Sequence, residues 1–331
     1  MRKLNYQAGE EVPVKLNAGN LEIESSGLAW SGDGKWIAFN DREYLHNEEL
    51  EGKQGIHIVS AEGGEPKKVI ENWRDVRTIN YRISLSPQGK TLAFSSVEGN
   101  EQRIYTISTD GGVPKLLVDS LAREPVFSPD GKMIAYVEDE NCGRGGGGLW
   151  VVPAEGGTPK LVADAEYATS PIWSPDGDMI AFLGYNTEDQ QIFIISIGED
   201  GEADGEVIPI DVPERAGGPR LLAGWTPDNK IGVIFRSLTE FGLYTLPAKG
   251  GKAALVVHGG HGGYLAQPRW FSDEKLIFHT DNKNEGSGDW QELAMAVVSA
   301  EGGEVTTIPV QSDEKIKLPS WGGGTSKTEH G

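Results

Sequence analysis

Apolar residues come in short runs along this chain, such as Trp36–Phe39, Ile134–Val137 and Ile192–Ile195, and polar, glycine-rich stretches separate them. No run sustains the period of an amphipathic helix. The runs are partly continuous rather than strictly alternating, as expected of short strands covered on both faces. The pattern predicts an all-β chain with almost no helix.

The runs belong to a repeated phrase: "AWSGDGKWIAF" (29–39), "SLSPQGKTLAF" (84–94), "VFSPDGKMIAY" (126–136), "IWSPDGDMIAF" (172–182), "GWTPDNKIGVIF" (224–235) and "RWFSDEKLIFH" (269–279). Its turn position falls at Asp33, Gln88, Asp130, Asp176, Asp228 and Asp273, giving steps of 55, 42, 46, 52 and 45 residues. A four-stranded propeller blade has a period of about 40–50 residues. In each phrase an apolar strand enters, Pro presets φ, Asp favours the turn and Gly takes the left-handed position. A second strand leaves, a variable polar stretch follows, and a third strand such as "LWVVP" runs into a Glu-Gly-Gly or Asp-Gly-Gly turn and a fourth strand such as "PKLVA". Four antiparallel strands make one blade.

The fold class is therefore an all-β propeller of four-stranded antiparallel blades. Six blades are favoured over seven with an incomplete last blade. One propeller domain is expected to cover 1–331. "EEVPVKLNAG" (10–19) reads as an additional fourth strand, so a strand over about 10–17 is expected to latch the ring, with a flexible tail over about 323–331. Trp30, Phe127, Trp173, Trp225 and Trp270 on the first strands are read as blade-to-blade packing.

Composition narrows function by exclusion. A net charge of -20, from 30 Lys+Arg against 50 Asp+Glu, repels phosphate backbones and anionic lipid. Nucleic acid is therefore not expected as a partner. No apolar stretch is long enough for a spanning helix. A single cysteine, Cys142, excludes an internal disulfide framework. "CGRGGGG" (142–148) lacks the Gly-Lys-Ser/Thr ending of a phosphate loop, the turn aspartates are explained as turn formers, and no G-x-S-x-G elbow occurs.

The phrase "W/F-S-P-D-G-K-x-I-A-F", followed by "G-G-x-P-K-x-L", resembles the WD40-like (PD40) repeat of TolB-type β-propellers, which also occurs in the propeller domains of tricorn and prolyl oligopeptidase-like peptidases. The resemblance covers about residues 11–322. It implies a propeller fold and favours a periplasmic or other extracytoplasmic location, but it specifies no chemistry.

In this strand order, the first-to-second and third-to-fourth turns share one face, and these are short and uniform. The second-to-third loops and the crossovers share the other face, and these are long and irregular, as binding loops on rigid scaffolds are. Arginines gather on the irregular face, whereas lysines fall on the tight-turn face, where they serve solubility and blunt strand edges. Because guanidinium pairs bidentately with carboxylate, Arg42, Arg82, Arg123, Arg144, Arg215, Arg220 and Arg236, with His46, form the candidate binding set. The competing reading pairs these arginines with local acids such as Asp75, Glu124, Glu138 and Glu214.

The expected function is a non-catalytic, monomeric binding module for a protein segment or an acidic peptide or oligosaccharide, with no cofactor. The alternative is a propeller enzyme that eliminates across an acidic polysaccharide, as the similar oligogalacturonate lyases do. That reading places His258, His261 and Tyr264, with His279 nearby, in proton-abstracting roles, and His258 and His261 on a divalent metal.

Overall fold

The computed structural model describes residues 2–5, 10–13, 23–41, 55–70, 83–98, 101–139, 147–165, 167–186, 189–210, 218–226, 228–236, 241–249, 252–258, 265–272, 275–281, 293–299 and 306–308. Among them every regular element is a strand, and the strands form six four-stranded antiparallel sheets. Blade 1 comprises Ile23–Trp30, Trp36–Asp41, Gly55–Ser60 and Lys67–Ile70. Blade 2 comprises Ser84–Leu85, Thr91–Glu98, Glu101–Ser108 and Lys115–Val118. Blade 3 comprises Ala122–Phe127, Met133–Asp139, Gly147–Pro153 and Lys160–Asp164. Blade 4 comprises Thr169–Trp173, Met179–Asn186, Asp189–Ser196 and Ile208–Ile210. Blade 5 comprises Gly218–Trp225, Lys230–Arg236, Phe241–Pro247 and Ala254–His258. Blade 6 comprises Leu265–Ser272, Lys275–Asp281, Leu293–Ser299 and Thr306–Ile308.

Of the latch expected over about 10–17, residues 10–13 are described and 14–17 lie outside the described residues. Glu10–Pro13 pairs with Arg2–Asn5 in a two-stranded ladder, and Thr306–Ile308 is the fourth strand of blade 6. The tail over 323–331 lies outside the described residues.

The repeated turn is a hydrogen-bond device. In blade 3, Ser128 Oγ donates to Asp130 Oδ1 (2.7 Å) and accepts from Met133 N (3.0 Å), while Lys132 N donates to the same carboxylate (3.0 Å). Ser31 with Asp33 in blade 1 and Thr226 with Asp228 in blade 5 repeat the arrangement. Gly131 needs its freedom: φ is 77°, and a Cβ would lie 3.1 Å from Pro87 of blade 2.

These bonds act on the carboxyl. Burial opposes the charged form of Asp130, but donation from Lys132 N and Ser128 Oγ and the Lys132 ammonium outweigh it, bringing the pKa from 3.8 to about 2. Because the folded value is the lower one, the turn's stabilisation is fully present above pH 3.8 and is lost as pH falls towards about 2. Ser128→Ala is expected to raise the Asp130 midpoint in a carboxyl NMR titration and to flatten the dependence of stability on pH in that window. An unmoved midpoint would show that Ser128 does not hold the charge.

Sheets pack face to face through apolar clusters. Ala38, Ile56 and Ile58 of blade 1 meet Leu85, Phe94 and Tyr105 of blade 2, and Ala93 and Ile104 of blade 2 meet Phe127, Ile134 and Tyr136 of blade 3. Phe182, Ile180 and Trp173 of blade 4 meet Ala135, Val137 and Leu149 of blade 3. Phe127, Trp173 and Trp225 of the first strands pack between blades, Trp30 packs within blade 1, and two of the tryptophans add a bond: Trp173 Nε1 donates to Val126 O (3.1 Å), and Trp225 Nε1 donates to Ile172 O (3.2 Å).

The lysine of "G-G-x-P-K" has a role beyond solubility. Lys67 Nζ donates to Asp110 O in blade 2 (2.9 Å), Lys115 Nζ to Glu155 O in blade 3 (2.7 Å), and Lys160 Nζ to Asp200 O in blade 4 (3.0 Å). Each lysine thus reaches the third-to-fourth turn of the next blade. Strand register puts Ile208, Ala254 and Thr306 at the same position in blades 4, 5 and 6, so the tie is confined to the first half of the ring. Being exposed, each bond is screened by solvent and contributes little.

Candidate functional site

Arg123 lies at the irregular-face end of the first strand of blade 3, where Ala122 pairs with Glu138 and Arg123 with Val137. The strand bulges between Arg123 and Val126, and the first strand of blade 4 bulges at the same place, between Thr169 and Ile172. A bulge re-aims the residue it carries. Here the re-aimed residues are Glu124 and Ser170, with φ of 55° and 56°. Each precedes a proline, Pro125 or Pro171, and a left-handed residue in that position is strained.

The two bulges are tied to each other. Glu124, 8% exposed, accepts from Ser170 N through Oε2 (2.7 Å) and from Thr169 Oγ1 through Oε1 (2.8 Å). Arg123 Nη1 also donates to Oε1 (2.7 Å), and Arg123 Nη2 lies 3.5 Å from Ala168 O. The carboxylate therefore gives the re-aimed Ser170 N–H an acceptor and fixes a half-buried guanidinium beside it. Tyr167, in the crossover between these blades, is also left-handed (φ 53°) and its side chain is 41% exposed. Three of the four described non-glycine residues with positive φ thus occupy one site on the irregular face. Backbone strain of this kind costs about 1–3 kcal/mol per residue and concentrates at functional sites.

Of the candidate set from the sequence, Arg123 is the member whose side chain is described, and its partner is Glu124, one of the local acids weighed against a ligand. Arg220, Arg236 and His258 lie on blade 5 strands. Gly218 pairs with Arg236, Arg236 with Phe241, and Gly242 with His258, so the backbones of Arg236 and His258 share the irregular-face end of that blade. Arg42, His46, Arg82, Arg144, Arg215, His261 and Tyr264 lie outside the described residues. His279 pairs with Ala266 and Met295 in blade 6. Sequence reasoning missed Tyr167 and Ser170. The available signal was a residue-Pro pair at the same offset before three of the repeats, "EPVFSPDG", "SPIWSPDG" and "QPRWFSDE".

This architecture defines the class: the chain is a repeat β-propeller of four-stranded antiparallel blades. No protein-family model matches it. Over 162 residues it is 28% identical to an uncharacterized protein of Agrobacterium fabrum, a match covering 48% of this chain and 50%, only half, of that relative. A solved structure from Agrobacterium tumefaciens designated TolB is similar at a TM-score of 0.53 and 21% identity, covering 76% of this chain and 84% of that one. An oligogalacturonate lyase from Vibrio parahaemolyticus is similar at a TM-score of 0.63 and 12% identity, covering 93% of this chain and 84% of that one. At such identities the likeness to these structures establishes the fold alone.

Proposed function

We propose that this propeller is a non-catalytic binding module that holds an acidic ligand, such as the carboxylate of a protein segment or an acid sugar, on its irregular-loop face. The observation that carries this reading is the Arg123–Glu124–Ser170 constellation beside the exposed Tyr167 ring. Its guanidinium is oriented in advance by Glu124, so a bound carboxylate meets a donor whose ordering cost is already met. The strained backbone supports the same reading, since left-handed residues before proline stand at two successive blades here and such strain concentrates at functional sites. On the tight-turn face, the turns of blades 1, 3 and 5 are closed on themselves by the bond between the turn hydroxyl and the turn aspartate.

The test is calorimetric titration with an acidic peptide and with oligogalacturonate, comparing wild type with Arg123→Met and Tyr167→Ala, and with Lys115→Met on the opposite face. Loss of one charge-assisted bidentate contact is expected to weaken binding about tenfold to hundredfold in Arg123→Met and to leave Lys115→Met unchanged. Equal affinity in all four proteins would remove the irregular face from the reading. Appearance of an unsaturated uronate product, abolished in His258→Ala, would replace binding by elimination chemistry.

A further inference from the structure

Strand register aligns one position near the irregular-face end of every second strand. It is Asn40 opposite Ile56 in blade 1, Ser95 opposite Ile104 in blade 2, Val137 opposite Leu149 in blade 3, Leu183 opposite Ile192 in blade 4, Ile234 opposite Leu243 in blade 5 and His279 opposite Met295 in blade 6. Three successive blades are apolar there, and the other three, blades 6, 1 and 2, carry polar residues. Exposure does not explain the difference. Asn40 and Ser95 are 5% and 6% exposed, and Val137, Leu183 and Ile234 are similarly buried.

Asn40 Oδ1 and Ser95 Oγ are buried and have no hydrogen-bond partner among the described residues, and Gln102 Nε2 is in the same condition. Ser95 lies opposite Ile104, and Gln102 lies opposite Val97 two residues further along, so Ser95 and Gln102 are diagonal neighbours on one face of blade 2. That face packs on blade 3 through Ala93, Ile104 and Tyr136. Asn40 shares the face of its strand with Ala38, which packs on Phe94 of blade 2. Ser96, 3% exposed, lies on the same face of its strand as Phe94. A buried polar atom without a partner costs free energy that valine or leucine at the same place avoids, as blades 3 and 4 demonstrate.

We infer that the boundaries of blade 1 with blade 2, and of blade 2 with blade 3, each hold a site for one neutral hydroxyl-sized group. Asn40 Oδ1 anchors the first site, and Ser95 Oγ with Gln102 Nε2 anchors the second. The available groups are acceptors and neutral donors, so the matching chemistry is an uncharged oxygen that both donates and accepts: internal water, or the hydroxyl of a bound ligand. The ligand source rests on the binding function proposed above; the water source does not.

Crystal structures of the whole chain at high resolution, without additive and with galactose as a polyhydroxyl probe, read the sites directly. Thermal unfolding of wild type, Asn40→Leu, Ser95→Val and the hydroxyl-keeping Ser95→Thr reads their energetics. Ordered oxygens on Asn40 and Ser95 without additive, with a lower Tm in the two apolar variants and a retained Tm in Ser95→Thr, identify water. Oxygens seen only with galactose, and a galactose-dependent rise in Tm that both apolar variants lose, identify a ligand hydroxyl. Crystals with no oxygen under either condition, and apolar variants whose Tm holds or rises, would overturn the inference.

Discussion

Glu124→Ala is expected to destabilise the protein by about 3 kcal/mol, although the residue belongs to no apolar cluster. The carboxylate accepts from Ser170 N, Thr169 Oγ1 and Arg123 Nη1. Alanine strands all three donors, and removing one partner of a buried ion pair costs far more than the pair contributes net. A second, separable part of the effect lies in the backbone: alanine at φ 55° remains in the left-handed region. Glu124→Gly relieves that strain and is expected to be about 1 kcal/mol more stable than Glu124→Ala. Glu124→Gln keeps an acceptor for Ser170 N but not the charge beside Arg123, and should fall between wild type and alanine. Urea unfolding of the four proteins at neutral pH distinguishes these contributions. A loss below 1 kcal/mol for alanine would mean that water replaces the carboxylate and that the bulge is not built on it.

How much of this was legible in the sequence follows the range of the interactions involved. The S-P-D-G-K turn was readable because its bonds close within five residues, Ser128 Oγ with Asp130 and with Met133 N, so residue type and order suffice. The aromatic first strands were readable because burial is written in their composition. The lysine ties were not readable: Lys115 meets Glu155, and the partner is a carbonyl, which every residue carries. The bulge at Glu124 was hidden for a related reason, since its partners are Thr169 and Ser170 of the next blade and the strained φ leaves no residue-type signature beyond a following proline. Arg123 illustrates the limit for the site. Its chemistry was legible, while its partner depended on which acid the bulge brought beside it.

The two faces consequently differ in how their polar groups are satisfied. On the tight-turn face, most serine and threonine hydroxyls, turn aspartates and lysines meet one another or the next blade's carbonyls, with Asn229 Oδ1 as an exception among the described residues. On the irregular face, the described ends of blades 1 and 2 leave Asn40 Oδ1, Ser95 Oγ and Gln102 Nε2 without partners among the described residues, and the ends of blades 3 and 4 hold Glu124 and Ser170 on a strained backbone. These features are more numerous on the irregular face, and each costs stability that an apolar residue at the first kind of position or glycine at the second would keep. That weighting suits a binding face on a rigid ring.

Phe182→Ala is expected to cost about 3–5 kcal/mol, through lost burial and the cavity left behind. The side chain is fully buried, its ring stacks on Phe193 with centroids 5.5 Å apart, and it packs in one cluster with Ala135, Val137 and Leu149 of blade 3. Phe182→Leu retains most of the volume and should cost roughly 1–2 kcal/mol. The location of the damage is as informative as its size. Blades contact chiefly their neighbours, so stability is expected to be partitioned along the ring as in other repeat proteins. Hydrogen exchange in the variant should therefore quicken first in blades 3 and 4, while Ile37, Phe39 and Val59 of blade 1, which pack in a separate cluster, keep their protection. A uniform fall in protection across all blades would instead show that the ring unfolds as a single cooperative unit. In that case the ties between blades, the tryptophan and lysine bonds included, transmit the loss all the way round.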